Sequence, residues 1–453
     1  MSKQSYSNKE LFEDFPIGKS LRILSVPAIV GQLITLIYNL ADTWFIGRLN
    51  NPLMVSATSL AYPIFAITYP VSAIAGTGGG TLISRLLGKH DEDQAKKIAS
   101  FSIYSGCAMA LSYALILLIF MNPLLRFLGA SSDNFLFTKQ YLLCVSVIGA
   151  VPTIMTSVFA NLLRSVGHSA EAAFGTGMGG ILNIALDPLL MFVVLPREYA
   201  VIGAGLATAL ANLCSSVYLL IKISKLRDET VLNYSAQNLK PEKQYVKELF
   251  AVGLPAATST LMFDVNNMVL NKLMSSYGDI AVAAMGITIK IERLSLNICV
   301  GLCLGMTPLV AYSYSAKNYE RMRNIVKKTV IVGVLVSIVS ILLYESCAPI
   351  LAKAFIADPE TVVLSAAFLR RRAVASVFMF LTFSTIHFFQ GVGSGKHSFW
   401  LPIVRYGFVG IPCIFLMNHL FGMYGMPFAQ LVTDVTVSAI SWVCYGSFVK
   451  KLR

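Results

Sequence analysis

The sequence predicts an all-α polytopic membrane protein of twelve transmembrane helices, and three observations carry that reading. Hydrophobic residues make up 56% of the 453 positions and charged residues only 13%, whereas a soluble chain is about a quarter charged. Mean hydropathy is +0.68. The apolar runs continue for roughly 20 residues, enough to cross a bilayer as a helix, without the apolar–polar alternation of a barrel strand.

The expected spans are residues 22–46, 57–83, 98–120, 136–160, 172–195, 201–222, 248–274, 281–306, 325–345, 366–389, 400–418 and 425–447. An even number places both termini on one side. That side receives most Lys and Arg: Lys3, Lys9, Lys19 and Arg22; Arg85, Lys89, Lys96 and Lys97; Arg164; the cluster from Lys222 to Lys247; Lys317, Arg321, Arg323, Lys327 and Lys328; Lys396 and Arg405; Lys450, Lys451 and Arg453. The other side holds only Arg48, Arg126, Lys139, Arg197, Lys272 and Lys353. Basic loops stay cytoplasmic, so both termini are expected inside. The formal charge of +13 is therefore a topology signal, and nucleic-acid binding is excluded. The eight cysteines sit singly in apolar runs, with Cys299 and Cys303 the nearest pair. Metal and redox chemistry find no support in that spacing. The polar first stretch, roughly 20 residues, argues against a cleaved signal peptide.

The longest polar stretch after the N-terminal tail, residues 223–246, divides the chain into residues 1–222 and 247–453, six spans each. A shift of 228 positions lays Pro27 on Pro255, and also Lys19 on Lys247, Leu33 on Leu261, Asn39 on Asn267 and Lys89 on Lys317. Further on, Val166-Gly167 pairs with Val392-Gly393. Six spans restore the starting orientation, so the repeat is parallel. Such repeats enclose a cavity and rock around it. Pro27 removes a helical hydrogen bond and is a candidate hinge.

Polar groups in lipid-facing spans are costly and mark function. Asp42 lies near the outer end of the first span. Asn183 and Asp187 lie on the fifth at i and i+4, on one helix face. Pro188 biases Asp187 away from regular helix. Thr208 and Asn212 follow on the sixth span. At 1.5 Å per residue, Asp42, Asp187 and Thr208 fall in one layer, roughly 6–12 Å below the outer surface. Two carboxylates so placed share a proton or recruit Na⁺, so Asp42, Asn183, Asp187 and Thr208 are the expected cation-coupling set.

With these residues in view, the chain resembles the multidrug and toxic compound extrusion (MATE) family, in the branch of the DNA-damage-inducible transporters. The residues that carry the resemblance are Pro27, the run 38–47 (YNLADTWFIG), the run 80–88 (GTLISRLLG), the run 183–188 (NIALDP) and the run 203–208 (GAGLAT). It covers essentially the whole chain. It implies two six-helix lobes in a V around a central cavity, and antiport of amphipathic drugs or metabolites against H⁺ or Na⁺, with no other cofactor. It also implies that the N-lobe cavity is lined by Gln32, Tyr38, Asn39 and Asn161 beside the cation set. The expected setting is a monomer in the lipid bilayer of a bacterial or archaeal plasma (inner) membrane, and the expected substrate is a small amphipathic organic molecule.

The second half departs from the first, because Leu270 answers Asp42. Its spans carry a different polar patch: Asp264, Asn266 and Asn267, then Lys290, Glu292 and Arg293. Asp264 and Lys290 match in depth and are expected either to pair or to form, with Asn267 and Arg293, a polar patch that touches substrate. Arg370, Arg371 and Arg372 are expected to snorkel to headgroups; lining the cavity instead, they would favour an anionic or lipid-linked substrate. That defines an alternative, a flippase of the same superfamily moving lipid-linked sugar precursors, with Lys290, Arg293 and Arg370–Arg372 binding the pyrophosphate. The run 391–398 (GVGSGKHS) has Gln390 where a phosphate loop needs Gly, and no strand precedes it. No catalytic set is assignable, so an enzyme is not expected. The spacings Gly76–Gly80, Gly175–Gly179 and Gly301–Gly305 suit close helix packing.

Overall fold

The structure, a computed structural model, describes residues 7, 9–49 and 51–452. Lys3 and Arg453, counted above among the basic residues, lie outside the described residues. Each expected span coincides with a helix or a bent helix pair. The series runs α1 Ile17–Gly47, α2 Pro52–Gly88, α3 Glu92–Phe127, α4 Ser132–Ile148 with Ala150–Ser165, α5 Ser169–Val194 and α6 Arg197–Leu226. It continues with α7 Lys243–Met274, α8 Asp279–Ser315, α9 Tyr319–Lys353, α10 Pro359–Ala373 with Ser376–Gly391, α11 Gly395–Tyr424 and α12 Met426–Lys450. Among the described residues there is no strand. Among the described residues nine helices are long and apolar enough to cross a membrane, and the bent pairs bring the number to 11. In α7, Asp264, Asn266, Asn267 and Asn271 dilute the apolar run.

The helices overrun the expected spans because polar caps hold their ends. Asn51 Oδ1 accepts from the Leu53 N–H at 3.0 Å, and Asp91 Oδ1 from Gln94 at 3.2 Å. Asn318 and Asp358 do the same for α9 and α10. Each cap satisfies a donor that a helix start leaves open.

The repeat is visible in local geometry. The bent pairs are the fourth and tenth helices, at 43° and 52°. Each ends at a left-handed glycine, Gly167 (φ 92°) and Gly393 (φ 78°), the pair aligned by the sequence shift. A side chain is strained at such φ, which suits glycine at both positions.

The chain forms two compact units, residues 30–257 and residues 1–29 with 258–453. The boundaries fall inside α1 and α7, not in the connecting loop that divides the sequence. Both lie two residues beyond the aligned prolines Pro27 and Pro255. Both prolines are accommodated within unbroken helices.

Close packing of small residues explains which part of each helix joins which unit. In the unit of residues 30–257, the first turns of α7 lie on α2. A Cβ on Gly78 would stand 2.5 Å from the Leu249 carbonyl oxygen, and one on Gly253 would overlap the Ile74 carbonyl. In the other unit, Gly301 and Gly305 of α8 admit Ile29 and Ser25 of α1, and the Ser25 hydroxyl donates to the Leu302 carbonyl at 3.3 Å. Gly253→Ala should therefore destabilise the protein by about 1–3 kcal/mol, the range for overpacking a tight interface. A thermal melt of the purified protein in detergent measures this; an unchanged midpoint would contradict the packing described.

Candidate functional site

The acidic cluster of residues 30–257 is built by two glycine-mediated helix contacts. Along α1 and α5, Gly31 meets Ala173, Ile34 meets Gly177 and Tyr38 meets Gly180. One further turn along α1 stands Asp42. Along α5 and α6, Gly175 meets Leu219 and Gly179 meets Ser215. The next α5 turn carries Asn183, whose Nδ2 donates to Thr208 Oγ1 at 3.3 Å and to Asp187 Oδ1 at 3.3 Å.

Asp187 is fully buried and Asn183 is 2% exposed. Three oxygens in this group are buried with no hydrogen-bond donor: Asp42 Oδ1, Asn183 Oδ1 and Asp187 Oδ2. Buried polar atoms are nearly always paired, so unpaired acceptors call for an explanation. Asp187 lies close enough to Asp42 to feel its charge. The donor set is oxygen throughout, which fits a proton or a hard monovalent cation better than a soft metal. Among the described residues no group of three His, Cys, Asp or Glu side chains comes together as a metal site.

Pro188 acts one residue later than the sequence suggested. Asp187 stays in regular helix, and the wider π-type winding begins after the proline, at Leu189–Val194. The proline supplies no N–H to the Ile184 carbonyl.

The other expected residues of this half divide by position. Tyr38 is one turn below Asp42 and near Tyr69 and Tyr62. Asn39 and Asn161 spend an amide N–H within their own helices, on the Thr35 and Ser157 carbonyls at 2.8 and 2.9 Å. Asn161 packs on Gly76 of α2, and Gln32 is half-buried on α1. Tyr141 of α4 was not singled out by the sequence. It is buried against Gly205 of α6, within the field of both Asp42 and Asp187. A lone tyrosine in an apolar span carries no sequence signal that separates it from packing.

The second half departs more from expectation. Asp264 and Lys290 form no ion pair among the described residues; the buried pairs are Arg372–Glu292 and Arg405–Asp434. Arg372 donates from Nε and Nη2 to Glu292 Oε2 at 2.9 and 2.7 Å, while Gln430 Nε2 donates to Glu292 Oε1 at 2.9 Å. Arg405 donates from Nε to Asp434 Oδ1 and from Nη1 to Tyr406 Oη, both at 2.8 Å. Arg405 was counted above with a cytoplasmic loop, yet it is 3% exposed inside α11, and Asp434 is 1% exposed in α12. The arginine triplet also splits. Arg370 is exposed and bonds the Glu345 carbonyl, Arg371 covers the Tyr424 ring at 5.0 Å, and only Arg372 is buried. These two ion pairs line one cavity within residues 258–453. Asn267 and Arg293 of the expected patch reach that cavity; Asp264 and Lys290 do not line it.

Known proteins match the chain over nearly its whole length. The MatE family model matches residues 27–189 and again 255–416, one copy beginning at each aligned proline. The multidrug export protein MepA of Staphylococcus aureus strain N315 is 31% identical over 424 residues, covering 93% of this chain and 92% of that protein. MepA of Staphylococcus saprophyticus is 31% identical over 430 residues, covering 95% and 93%. A solved MATE structure in complex with MaL6 shares the fold, with a TM-score of 0.93 at 22% identity, over 100% of this chain and 99% of that one. With the family model matched twice across both repeats, this chain belongs to the multidrug and toxic compound extrusion (MATE) family.

Proposed function

We propose that the protein is a secondary antiporter that exports amphipathic drugs or metabolites in exchange for H⁺ or Na⁺. The single observation carrying the coupling site is the fully buried Asp187, with Oδ2 lacking any donor beside the equally unpaired Asn183 Oδ1. Relatives named as multidrug export proteins support the substrate class. In this reading Asp42 and Asp187 repel each other when both are ionised. A proton, or Na⁺ held by Asp42, Asn183, Asp187 and Thr208, relieves that repulsion. Exchange follows if the cation and the substrate favour different conformations, because a ligand shifts an equilibrium only by its differential affinity. Tyr38, Gln32, Asn39 and Asn161 are the residues proposed to meet the substrate near this site, and Pro27 is the proposed flexing point of α1.

The protein acts as a monomer in the lipid bilayer of a bacterial or archaeal inner membrane, with both termini cytoplasmic; the basic-loop asymmetry supports that orientation. The flippase alternative loses part of its support, because Arg372, the one buried member of the arginine triplet, is already neutralised by Glu292. The test is export of a cationic dye from proteoliposomes under a pH gradient without Na⁺, and under a Na⁺ gradient without ΔpH. One of the two gradients should drive export, and Asp42→Asn should reduce that rate by about tenfold or more, the size of removing a group that bears coupling charge. Undiminished gradient-driven export by Asp42→Asn would rule out its coupling role.

A further inference from the structure

The cavity within residues 258–453 carries charge that no pairing consumes. Three arginines and two carboxylates line it: Arg293, Arg372, Arg405, Glu292 and Asp434. Arg372 is neutralised by Glu292 and Arg405 by Asp434. Arg293 forms no ion pair among the described residues. Asp264 on α7 and Lys290 on α8, one of each sign, lie near Arg293 without bonding it.

Two fixed, neutral ion pairs and one unpaired guanidinium make a pocket with net positive charge and apolar walls such as Phe263, Leu296 and Met379. Guanidinium binds carboxylate through two parallel N–H···O bonds. Low dielectric strengthens that bond relative to water. Asp434 Oδ2 and Asn266 Oδ1 also face this lining without donors.

The geometry points to a binding subsite in this cavity for the carboxylate of an amphipathic organic anion, with Arg293 as the recognising residue. This deepens the export reading by naming a substrate class, and it rests on that reading for its physiological use. It differs from the acidic cluster of residues 30–257, which suits a cation. The two halves therefore recognise opposite charges: one takes the coupling cation and the other the anionic end of a substrate.

The experiment measures equilibrium binding to the purified full chain in nanodiscs of neutral lipid, with no gradient, so its outcome is separate from any failure of coupling. The probes are a matched pair, naphthylbutyrate and naphthylbutyl-trimethylammonium, with the same apolar body and opposite charge. Wild type should bind the carboxylate probe more tightly. Arg293→Gln should weaken it about tenfold, the scale of one charge-assisted interaction, and leave the ammonium probe within about twofold. Arg293→Lys should recover part of the loss, because lysine keeps the charge and loses the fork. The inference is overturned if wild type prefers the ammonium probe, if Arg293→Gln binds the carboxylate as wild type does, or if both probes weaken equally.

Discussion

Replacing Asp187 with Asn is expected to abolish gradient-driven export, by about a hundredfold or more, while the protein remains folded. The exchange is nearly isosteric, so the close packing of α5 on α6 at Gly179 and Ser215 is retained. The amide oxygen keeps an acceptor for the Asn183 amide, now 3.3 Å from Asp187 Oδ1. What disappears is the charge. Asp187 has no basic partner among the described residues, and a neutral side chain there neither binds a proton nor attracts Na⁺. Each pKa unit of differential proton binding corresponds to about 1.4 kcal/mol, so losing the titration removes the coupling rather than trimming it. Export is followed in proteoliposomes alongside substrate binding without a gradient. Retained binding with lost export is the expected pattern. Wild-type export by Asp187→Asn would remove Asp187 from the mechanism.

The second large effect is structural. Asp434→Leu should destabilise the protein by about 3–5 kcal/mol, because it strands the Arg405 guanidinium in an apolar interior. Arg405 is 3% exposed and its partner 1%. Two arginine N–H groups point at Asp434 Oδ1 at 2.8 Å, and the Phe383 and Tyr406 rings lie 4.7 and 4.8 Å from the guanidinium carbon. The double replacement Asp434→Leu with Arg405→Met should recover most of the loss, since a buried pair exchanged for apolar residues of similar size is often neutral. Thermal unfolding in detergent reads both. Equal instability of the single and double variants would mean that the site responds to shape rather than charge.

These contrasts show what was legible in the amino-acid order. Hydropathy located the helices, 11 of which are long and apolar enough to span among the described residues when each bent pair counts as one, because a bilayer sets helix length and forbids unpaired backbone. The relation of Asn183 to Asp187 was also legible, since i and i+4 share a helix face whatever surrounds them. Thr208 needed only one further helix. Pairings between distant helices were not legible. Arg372 meets Glu292 across 80 positions and Arg405 meets Asp434 across 29, and no periodicity encodes either. Arg405 looked like a loop residue because basic residues usually are, and Asp434 stood alone on its helix. The unit boundaries inside α1 and α7 were hidden for a related reason. A glycine spacing announces a tight contact without saying which helix fills it.

Those boundaries bear on how the chain matures during synthesis. Residues 30–257 are contiguous, so that unit has all its parts once Ala257 has emerged. The other unit begins with the first 29 residues and cannot be completed until segments beyond Thr258 arrive. Ser25 waits 277 positions for Leu302. The N-terminal part of α1 must therefore persist unassembled while the intervening helices are inserted. A break placed in the connecting loop would separate two products that each lack a helical piece held by the other, so each half needs the other present to finish folding.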